Sequence, residues 1–231
     1  MIKCSNCHCF LAQLDEGAYR YFPSAHIIRY PCGATIFEQA SPVAGIYIVC
    51  QGGGFIRFVR AGGGQARILR VFAPFDLLGI SEVLMGQTVY TAAAKAARET
   101  QAIFISKIDL LDAEAQDPAV RKTLLYFVAR EALAYQQGLI RALQPGVKER
   151  LIETLRELAS LHGRSIPEGR LIELAITNTE LAEMVGCTVE SISHVICELR
   201  QRGWLLRVKG QLVLQNIKLW DESQPLIKTS H

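Results

Sequence analysis

The hydrophobic and polar positions follow two patterns along the chain. The first half has short apolar runs typical of strands, and the rest has apolar residues at helical spacing. Between residues 27 and 105, short apolar runs alternate with breaks rich in glycine. Because short runs bounded by glycine are typical of strands, each run is predicted as a β-strand. The runs cover residues 34–37, 45–50, 55–60, 66–72 and 88–94. Strands at this spacing predict a jelly-roll barrel in the first half of the chain.

A long helix is predicted after the barrel. Residues 118–144 contain no internal proline, with Pro118 in the first turn and Pro145 just beyond the end. A helix of this length spans roughly 40 Å at about 1.5 Å per residue. Apolar residues recur along it near a seven-residue repeat, which is typical of a seam between two helices. We therefore predict a homodimer, with Leu124 and Val128 in the seam.

A helix-turn-helix is predicted over residues 176–205. Thr177 and Glu180 have the spacing of a capping box, which begins a short first helix. Gly186 allows a sharp turn, and Thr188 can cap a second helix. The second helix has inward apolar positions at helical spacing, which are Val189, Ile192, Val195, Ile196 and Leu199.

The opposite face of the second helix is polar. Glu190, Ser193 and His194 project together from its first two turns, where such helices contact base edges in the major groove. We therefore predict that these three residues read bases. Contacts to DNA phosphates are predicted for residues at the helix ends and in the following hairpin, which are Thr177, Thr188, Arg200, Arg202 and Lys209.

The segment that joins the two helices resembles a known family. The run Gly-Cys-Thr-Val-Glu-Ser-Ile-Ser-His at 186–194, followed by a hairpin around Lys209 and Gly210, resembles the winged helix of the CRP/FNR transcription regulators. The FNR branch reads bases with Glu, two further residues, Ser and Arg, whereas this chain has His194 in place of the Arg. Because Arg offers two bonds to guanine and His at most one, recognition of one base pair is expected to differ from the family.

This resemblance implies a function and an α+β architecture. It implies a sequence-specific regulator, not an enzyme, that binds double-stranded DNA at a two-fold-symmetric site as a homodimer and contacts RNA polymerase. A helix predicted over residues 147–161 would support the DNA-binding domain. The predicted segments are a cysteine-bearing N-terminus (1–26), a jelly-roll barrel like the cyclic-nucleotide-binding fold (27–117), a dimerisation helix (118–144), a winged helix-turn-helix (145–222) and a tail (223–231).

A cluster of three cysteines precedes the first periodic segment. Cys4, Cys7 and Cys9 can hold a soft metal centre. The resemblance to the FNR branch implies an iron–sulfur cluster of the [4Fe–4S] type that senses oxygen, nitric oxide or redox state. Such a cluster needs a fourth ligand, for which Cys50 is the first candidate and Cys32 the alternative. Zinc, haem, redox-active thiols or no metal at all are the other interpretations of these cysteines.

The predicted barrel lacks a residue that a cyclic-nucleotide site of the CRP branch needs. The CRP branch holds a cyclic phosphate with Gly-Glu-Leu followed by Arg-Ser, and the corresponding residues here, 75–82 and 89–91, contain no arginine. We therefore expect no binding of cyclic AMP. A different small effector, or haem, in the barrel is the second functional hypothesis. The arginines of the glycine-linked hairpin are expected on a solvated strand face, and they are Arg57, Arg60, Arg67 and Arg70.

A jelly-roll barrel also occurs in enzymes of the cupin type. An enzyme of this type is therefore the third functional hypothesis. Such enzymes gather several histidines and a glutamate around a metal ion. Only His26 of the five histidines lies near the predicted barrel. The residues needed for a cupin metal site are therefore missing from the sequence.

Composition agrees with two domains of a cytoplasmic protein. The chain has 231 residues, of which 50% are hydrophobic, and a net charge of +3 that weakly favours a nucleic-acid partner. No apolar run reaches the roughly 18 residues of a membrane span, and the N-terminus does not resemble a signal peptide. Seven cysteines fit reduced thiols or metal ligands better than a disulfide framework. Cys187 and Cys197 are expected to pack inside the helix-turn-helix.

Overall fold

The computed structural model describes residues 10–13, 20–59, 66–208 and 210–216. The chain forms two compact units, Met1–Ile140 and Arg141–His231. Most of the predicted dimerisation helix therefore belongs to the same unit as the barrel. No helix in the described ranges is long and apolar enough to cross a membrane.

Two antiparallel sheets and three α-helices make up the described part of the first unit, after a short 3-10 helix, Phe10–Gln13. The strand orders are β1-β8-β3-β6 and β2-β7-β4-β5. This arrangement confirms the predicted barrel. In chain order the elements are β1 (His26–Tyr30), β2 (Thr35–Phe37), β3 (Gly45–Gln51), β4 (Gly54–Phe58), β5 (Arg67–Phe72), β6 (Leu77–Leu78), α1 (Ile80–Leu84), β7 (Ala93–Ala96), β8 (Thr100–Ser106), α2 (Lys107–Gln116) and α3 (Pro118–Ala142).

One predicted strand begins later than expected. Within the run at 88–94, Val89 forms an isolated bridge with Pro42, and the strand β7 starts only at Ala93. Before it, the backbone of Tyr90 exchanges hydrogen bonds with Ser41 and Ala40 in a crossing loop. The Tyr90 side chain is 2% exposed, so the apolar character of this run reflects burial of a loop. Apolar runs of this kind do not separate a strand from a buried loop.

The barrel core lies between the sheets and extends onto α3. Ile48, Phe72 and Ile103 are fully buried, and each such side chain stabilises the fold by about 1.5–3 kcal/mol. Leu124 and Phe127 of α3 belong to the same hydrophobic cluster. Part of helix α3 therefore packs against the barrel and contributes to its core.

One of the two residues predicted in the α3 seam, Leu124, is instead part of the barrel core. Leu124 is 2% exposed, and Val128 is half-buried against the barrel cluster. Leu125, by contrast, is 68% exposed and Leu139 is 69% exposed. A seven-residue repeat fits two faces of this apolar helix, and sequence spacing alone does not say which face the barrel covers.

The second unit is a compact winged helix. Its elements in chain order are α4 (Val147–His162), β9 (Gly163–Ile166), β10 (Gly169–Ile172), α5 (Asn178–Val185), α6 (Val189–Gln201), β11 (Leu205–Val208) and β12 (Gln211–Leu214). The four strands form one antiparallel sheet in the order β11-β12-β10-β9. The predicted helix-turn-helix and its hairpin are confirmed, and Leu205 is the buried residue of β11.

The turn between α5 and α6 depends on Gly186. This residue has φ 76 and ψ 47, a left-handed conformation that costs side-chain-bearing residues free energy. Its N–H donates to the carbonyl of Ala182 at 2.8 Å, which closes the end of α5. The turn then lets Thr188 begin α6 at once.

Candidate functional site

Helix α6 has one buried and one exposed face. Its buried residues are Ile192, Val195, Ile196 and Leu199, which pack the helix against the rest of the unit. Val189, predicted to face inward, is 37% exposed because it is the first residue of the helix. It therefore adds an apolar side chain to the exposed face, of the kind that contacts a thymine methyl group.

The three predicted base-reading residues lie on this exposed face. Glu190, Ser193 and His194 are all exposed on the first turns of α6. The Thr188 hydroxyl accepts a hydrogen bond from the N–H of Ser191, which fixes the start of the helix. The structure thus places a carboxylate, a hydroxyl and an imidazole together on a helix of the size that enters the major groove.

Glu190 is held in its ionised form. Its own backbone N–H, and then the Thr188 hydroxyl, lower the pKa of the Glu190 carboxyl. Hydrogen bonds to a carboxylate favour the charged state. An ionised Glu190 is an acceptor only, so it suits the amino group of cytosine in the major groove.

Ser193 is tied to two residues that the sequence did not mark. The Asn178 Nδ2 atom, at the start of α5, donates to Ser193 Oγ at 3.1 Å. Arg207 Nη2, on β11, donates to Asn178 Oδ1 at 3.2 Å. These residues stand 15 and 29 positions apart in sequence, so no local spacing reveals the contacts.

The two predicted threonine contacts act first as helix caps. Thr177 Oγ1 accepts from the N–H of Glu180, and the Glu180 side chain accepts from the N–H of Thr177. The capping box is thereby confirmed. Thr188 caps α6 in the same way. Both hydroxyls lie at helix N-termini, where backbone N–H groups favour anions.

The arginines predicted to contact DNA phosphates differ in how far their side chains are already engaged within the domain. Arg200 is exposed at the end of α6. Arg202 pairs with Glu198 at 2.8 Å and lies over the Trp204 ring at 5.9 Å, so its guanidinium is held by its own domain. Lys148 also contacts Glu198, at 2.7 Å. The fifth predicted contact, at position 209, lies outside the described residues.

The profile of the Crp-like helix-turn-helix domain matches residues 149–219, and the profile of the cyclic nucleotide-binding domain matches residues 27–117. The chain belongs to the CRP/FNR family. It is a DNA-binding transcription regulator and not an enzyme.

Relatives of this CRP/FNR regulator come from both branches. The CRP-like cAMP-activated global transcriptional regulator of Mycobacterium tuberculosis is 25% identical over 187 residues, which cover 81% of this chain and 82% of that protein. The transcriptional activator protein anr of Pseudomonas aeruginosa is 25% identical, with 81% and 76% covered. A CRP-family regulator from Thermus thermophilus shares the fold, with a TM-score of 0.74 at 18% identity and coverage of 84% and 95%.

A buried aromatic residue, Tyr90, packs beside Gly79 in the barrel of this regulator. Tyr90 stacks on Phe37 with ring centroids 4.1 Å apart, and its hydroxyl donates to the carbonyl of Gly45 at 2.7 Å. A Cβ atom added at Gly79 would lie 2.8 Å from the Tyr90 ring, and Gly79 has φ 81. The ring therefore occupies the space beside the short helix α1.

One barrel arginine is buried, which corrects the prediction of a solvated face. Arg70 is 7% exposed, and its Nη1 atom lies 3.5 Å from Asp76 Oδ2. Its Nε and Nη2 atoms are buried, and no described atom accepts a hydrogen bond from them. The guanidinium lies 6.0 Å from the Tyr135 ring of α3. Asp76 also pairs with Arg130 at 3.0 Å.

Burial also changes the acidity of two residues beside Arg70. Burial, the largest cause, raises the pKa of the Glu131 carboxyl, while the Ser81 hydroxyl and Arg70 oppose this change. Burial raises the pKa of Tyr135 to about 12. Ser81 Oγ donates to Glu131 Oε2 at 2.7 Å. The group is therefore a charged cluster between β5 and α3.

The predicted metal ligands fall into two sets. Cys4, Cys7 and Cys9 lie outside the described residues. Cys32 is exposed and Cys50 is half-buried, and no group of three or more His, Cys, Asp or Glu in the described ranges is arranged to hold a metal ion. The cluster and its fourth ligand therefore stay predictions. Cys197 is exposed, so the expectation that it packs inside the helix-turn-helix is wrong.

Both fourth-ligand candidates lie at one end of the barrel sheet. Tyr30, two residues before Cys32, pairs with Thr100, and Gln51, next to Cys50, pairs with Gln101. The residues before β1 dock at the opposite end, near Ser106. Along β8 the two ends are roughly 17 Å apart at about 3.4 Å per residue.

Phe10 anchors the N-terminal segment to α3. Its ring is fully buried, 5.9 Å from the Phe22 ring and 6.0 Å from the Phe127 ring. Phe22 lies beside Ser24, whose hydroxyl accepts from the N–H of Ser106 at 2.9 Å. Phe10 follows Cys9 directly in the sequence. This aromatic contact was not foreseen, because a single Phe outside any periodic segment gives no signal.

Proposed function

We propose that this regulator belongs to the FNR branch, reads a two-fold-symmetric DNA site as a homodimer, and receives a redox-related signal through its N-terminal cysteines. The observation that carries the proposal is the exposed trio of Glu190, Ser193 and His194 on a capped helix. An ionised carboxylate and a hydroxyl in this order match the FNR pattern, and His194 replaces its arginine.

The exposed stripe of α3 supports the dimer. Leu125, Ala129, Ala132, Gln136 and Leu139 are all exposed, and they follow each other at intervals of four, three, four and three residues. This is the spacing of a two-helix seam, in which a single polar residue such as Gln136 fixes the register. Two reading helices in a symmetric dimer can then meet successive major grooves roughly 34 Å apart. A promoter complex with RNA polymerase is part of the proposal.

The N-terminal segment supports the proposed route of the signal. An iron–sulfur cluster on Cys4, Cys7 and Cys9 would supply a redox-sensitive centre. The chain itself ties this segment to the dimer helix, because Phe10 packs on Phe127. A displacement of Phe10 would therefore alter the packing of α3, whose opposite face carries the stripe.

The set of four cysteines fits a single cluster only in part. Cys4, Cys7 and Cys9 lie within six residues of one another in sequence, whereas Cys32 and Cys50 lie at the far end of the sheet from Phe10. Cys4 precedes Phe10 by six residues, which span about 20 Å when fully extended. Reaching Cys50 from Phe10 would therefore stretch the whole segment.

Metal content tests the proposal directly. Protein purified without oxygen should be brown and carry about four iron and four sulfide per protomer. Cys7→Ser should lose the colour, while the matched control Cys197→Ser, which removes an exposed thiol of the other unit, should keep it. Cys32→Ser and Cys50→Ser identify the fourth ligand if either loses the cluster. Colourless protein with one zinc would contradict the redox signal.

A small anion bound in the barrel is the second candidate function. It is favoured by Arg70, which is buried with two nitrogen atoms that no described atom satisfies. A carboxylate or phosphate beside Arg70 would satisfy these atoms. The site would sit against Tyr135 of α3, so an anion there also reaches the dimer helix.

Thermal unfolding with small anions tests this candidate. Phosphate, acetate and succinate are suitable small anions. An anion present at 100 times its Kd stabilises the folded state by about 2.7 kcal/mol, which thermal unfolding detects. Arg70→Met keeps the volume and removes the donors, so it should abolish any such gain. If no probe shifts the melting temperature and the protein is brown, the anion site is contradicted and the redox signal is supported.

A further inference from the structure

The hydrogen-bond chain behind Ser193 has a fixed direction. Arg207 is a donor only, so the atom of Asn178 that faces it must be the carbonyl oxygen, Oδ1. The other end of the amide, Nδ2, then faces Ser193. Arg207 therefore decides which way the Asn178 amide is turned, an assignment that rests on the chemistry of the partners.

The same logic sets the role of the Ser193 hydroxyl. Asn178 Nδ2 can only donate, so Ser193 Oγ must accept. No described group accepts the hydroxyl hydrogen of Ser193 in return. A hydroxyl that already accepts a bond is polarised to donate its own hydrogen, because hydrogen bonds in a chain strengthen one another. Its hydrogen is thus left for a partner outside the domain.

We infer that Asn178 sets the polarity of Ser193, so that Ser193 reads a hydrogen-bond acceptor on a base edge. This inference rests on the proposed function, in which Ser193 contacts a base. In the major groove the acceptors are O6 and N7 of guanine, N7 of adenine and O4 of thymine, whereas cytosine presents an amino donor. Asn178 and Arg207 are positioning residues for this choice.

The neighbouring residue reads with the opposite polarity. Glu190, three residues earlier on the same face, is an ionised acceptor and selects an amino group. The reading helix therefore presents an acceptor and a donor side by side. A base step that offers a donor to Glu190 next to an acceptor for Ser193 satisfies both, whereas the reversed step leaves the Glu190 carboxylate facing another acceptor.

The backbone around Asn178 is built to hold this geometry. Asn178 is the first residue of α5, directly after the Thr177 cap. The capping box between Thr177 and Glu180 restrains the first turn, which limits the positions available to the Asn178 side chain. Arg207 donates to Asn178 from β11. The Asn178 amide therefore links α5 to α6 and to the hairpin.

Competition between DNA duplexes tests the inference in the full-length regulator. Two duplexes differ only at the base pair that Ser193 reads, with thymine in one and cytosine in the other. Asn178→Ala should reduce the preference between them about fivefold, the value of one hydrogen bond of about 1 kcal/mol. Arg207→Lys, which keeps a donor beside Oδ1, should retain the preference, and Arg207→Ala should lower it.

A double mutant separates this inference from the proposed function. If Asn178 acts through Ser193, the variant with both Asn178→Ala and Ser193→Ala should discriminate no less than Ser193→Ala alone. If Ser193→Ala changes preference at no base pair, the base contact itself is absent and the proposed reading face fails. If Ser193→Ala changes preference but Asn178→Ala does not, or weakens all duplexes equally, Asn178 does not set polarity. Thermal unfolding of each variant confirms that the domain is intact.

Discussion

The barrel and the winged helix both have the fold of the family. They differ in how many of the family's functional side chains they retain. In the winged helix, the caps, the turn at Gly186 and the exposed trio on α6 are all present. In the barrel, the strands and the glycine before α1 are present, but Tyr90 fills the space beside them and no arginine stands at the phosphate position. The two regions therefore support function to different extents.

This difference shows which residues a fold requires and which a ligand requires. Gly79 is constrained by the backbone and by the Tyr90 ring, whether or not a nucleotide binds. Glu190, Ser193 and His194 support no core, and their exposure has no packing reason. A profile match to a cyclic nucleotide-binding domain thus establishes the fold, while the ligand must be argued from side chains.

The largest expected effect comes from two adjacent residues on α3. Leu124→Arg places an unpaired charge in the barrel core, where Leu124 is 2% exposed, and should cost several kcal/mol of stability. Leu125→Arg changes a residue that is 68% exposed and should leave the barrel folded, but as a monomer that no longer binds its operator. Thermal unfolding and sedimentation at micromolar concentration separate the two outcomes.

The pair also tests which face of α3 forms the seam. A folded, dimeric Leu125→Arg variant would show that the stripe is not an interface. A folded Leu124→Arg monomer would restore the seam predicted from spacing and contradict the packing described above.

A moderate effect is expected from the reading face. Glu190→Ala removes an ionised acceptor and should cost about 1–3 kcal/mol of binding to the preferred site, with relaxed preference at one base pair. Arg200→Ala is the matched control, because a lost phosphate contact weakens all sequences alike and lowers the salt slope by about one. Filter binding at several salt concentrations measures both. Equal behaviour of the two variants would contradict the division of roles.

The sequence predicted elements better than it predicted faces. Capping at Thr177 and Thr188, the turn at Gly186 and four of the five glycine-bounded strands are local patterns that the structure contains, whereas most of the run at 88–94 is a loop. The buried position of Leu124 and the exposed position of Val189 depend on what packs against each helix. Spacing in sequence does not contain that information.

Tertiary contacts account for the parts of the site that were missed. Asn178 meets Ser193 because α5 and α6 pack together, and Arg70 is buried beside Asp76 and Tyr135. A strand arginine next to glycine breaks has the same local pattern whether it is solvated or covered. The exposure of Cys197 likewise follows from the packing of α6 and not from its residue type.

A smaller effect is expected from Glu131 in the barrel. Burial raises the pKa of this carboxyl above its ordinary value of 4.5, so the folded state binds the proton more tightly than the unfolded chain. Stability should therefore fall as the pH rises from about 4.5 through the folded pKa. Glu131→Gln should flatten this dependence and raise stability at neutral pH by less than about 1 kcal/mol. Urea unfolding across this pH range measures it, and an unchanged pH dependence would contradict the assignment.

No effect at all is expected from cyclic AMP. Because Tyr90 occupies the space beside α1, the nucleotide should change neither the melting temperature nor the affinity for DNA. Thermal unfolding and DNA binding with and without cyclic AMP measure this. A stabilisation that saturates with cyclic AMP would place the barrel with the CRP branch and would remove the contrast between the two regions.

Selection of preferred sites from a random DNA pool tests the central claim most directly. The wild-type regulator should select a two-fold-symmetric site. His194→Arg should raise the preference for guanine at one position of each half-site, because arginine offers two bonds to guanine where histidine offers at most one. His194→Ala should relax the preference at that position alone. The same consensus from all three proteins would show that His194 reads no base and that the face assigned to DNA on α6 is wrong.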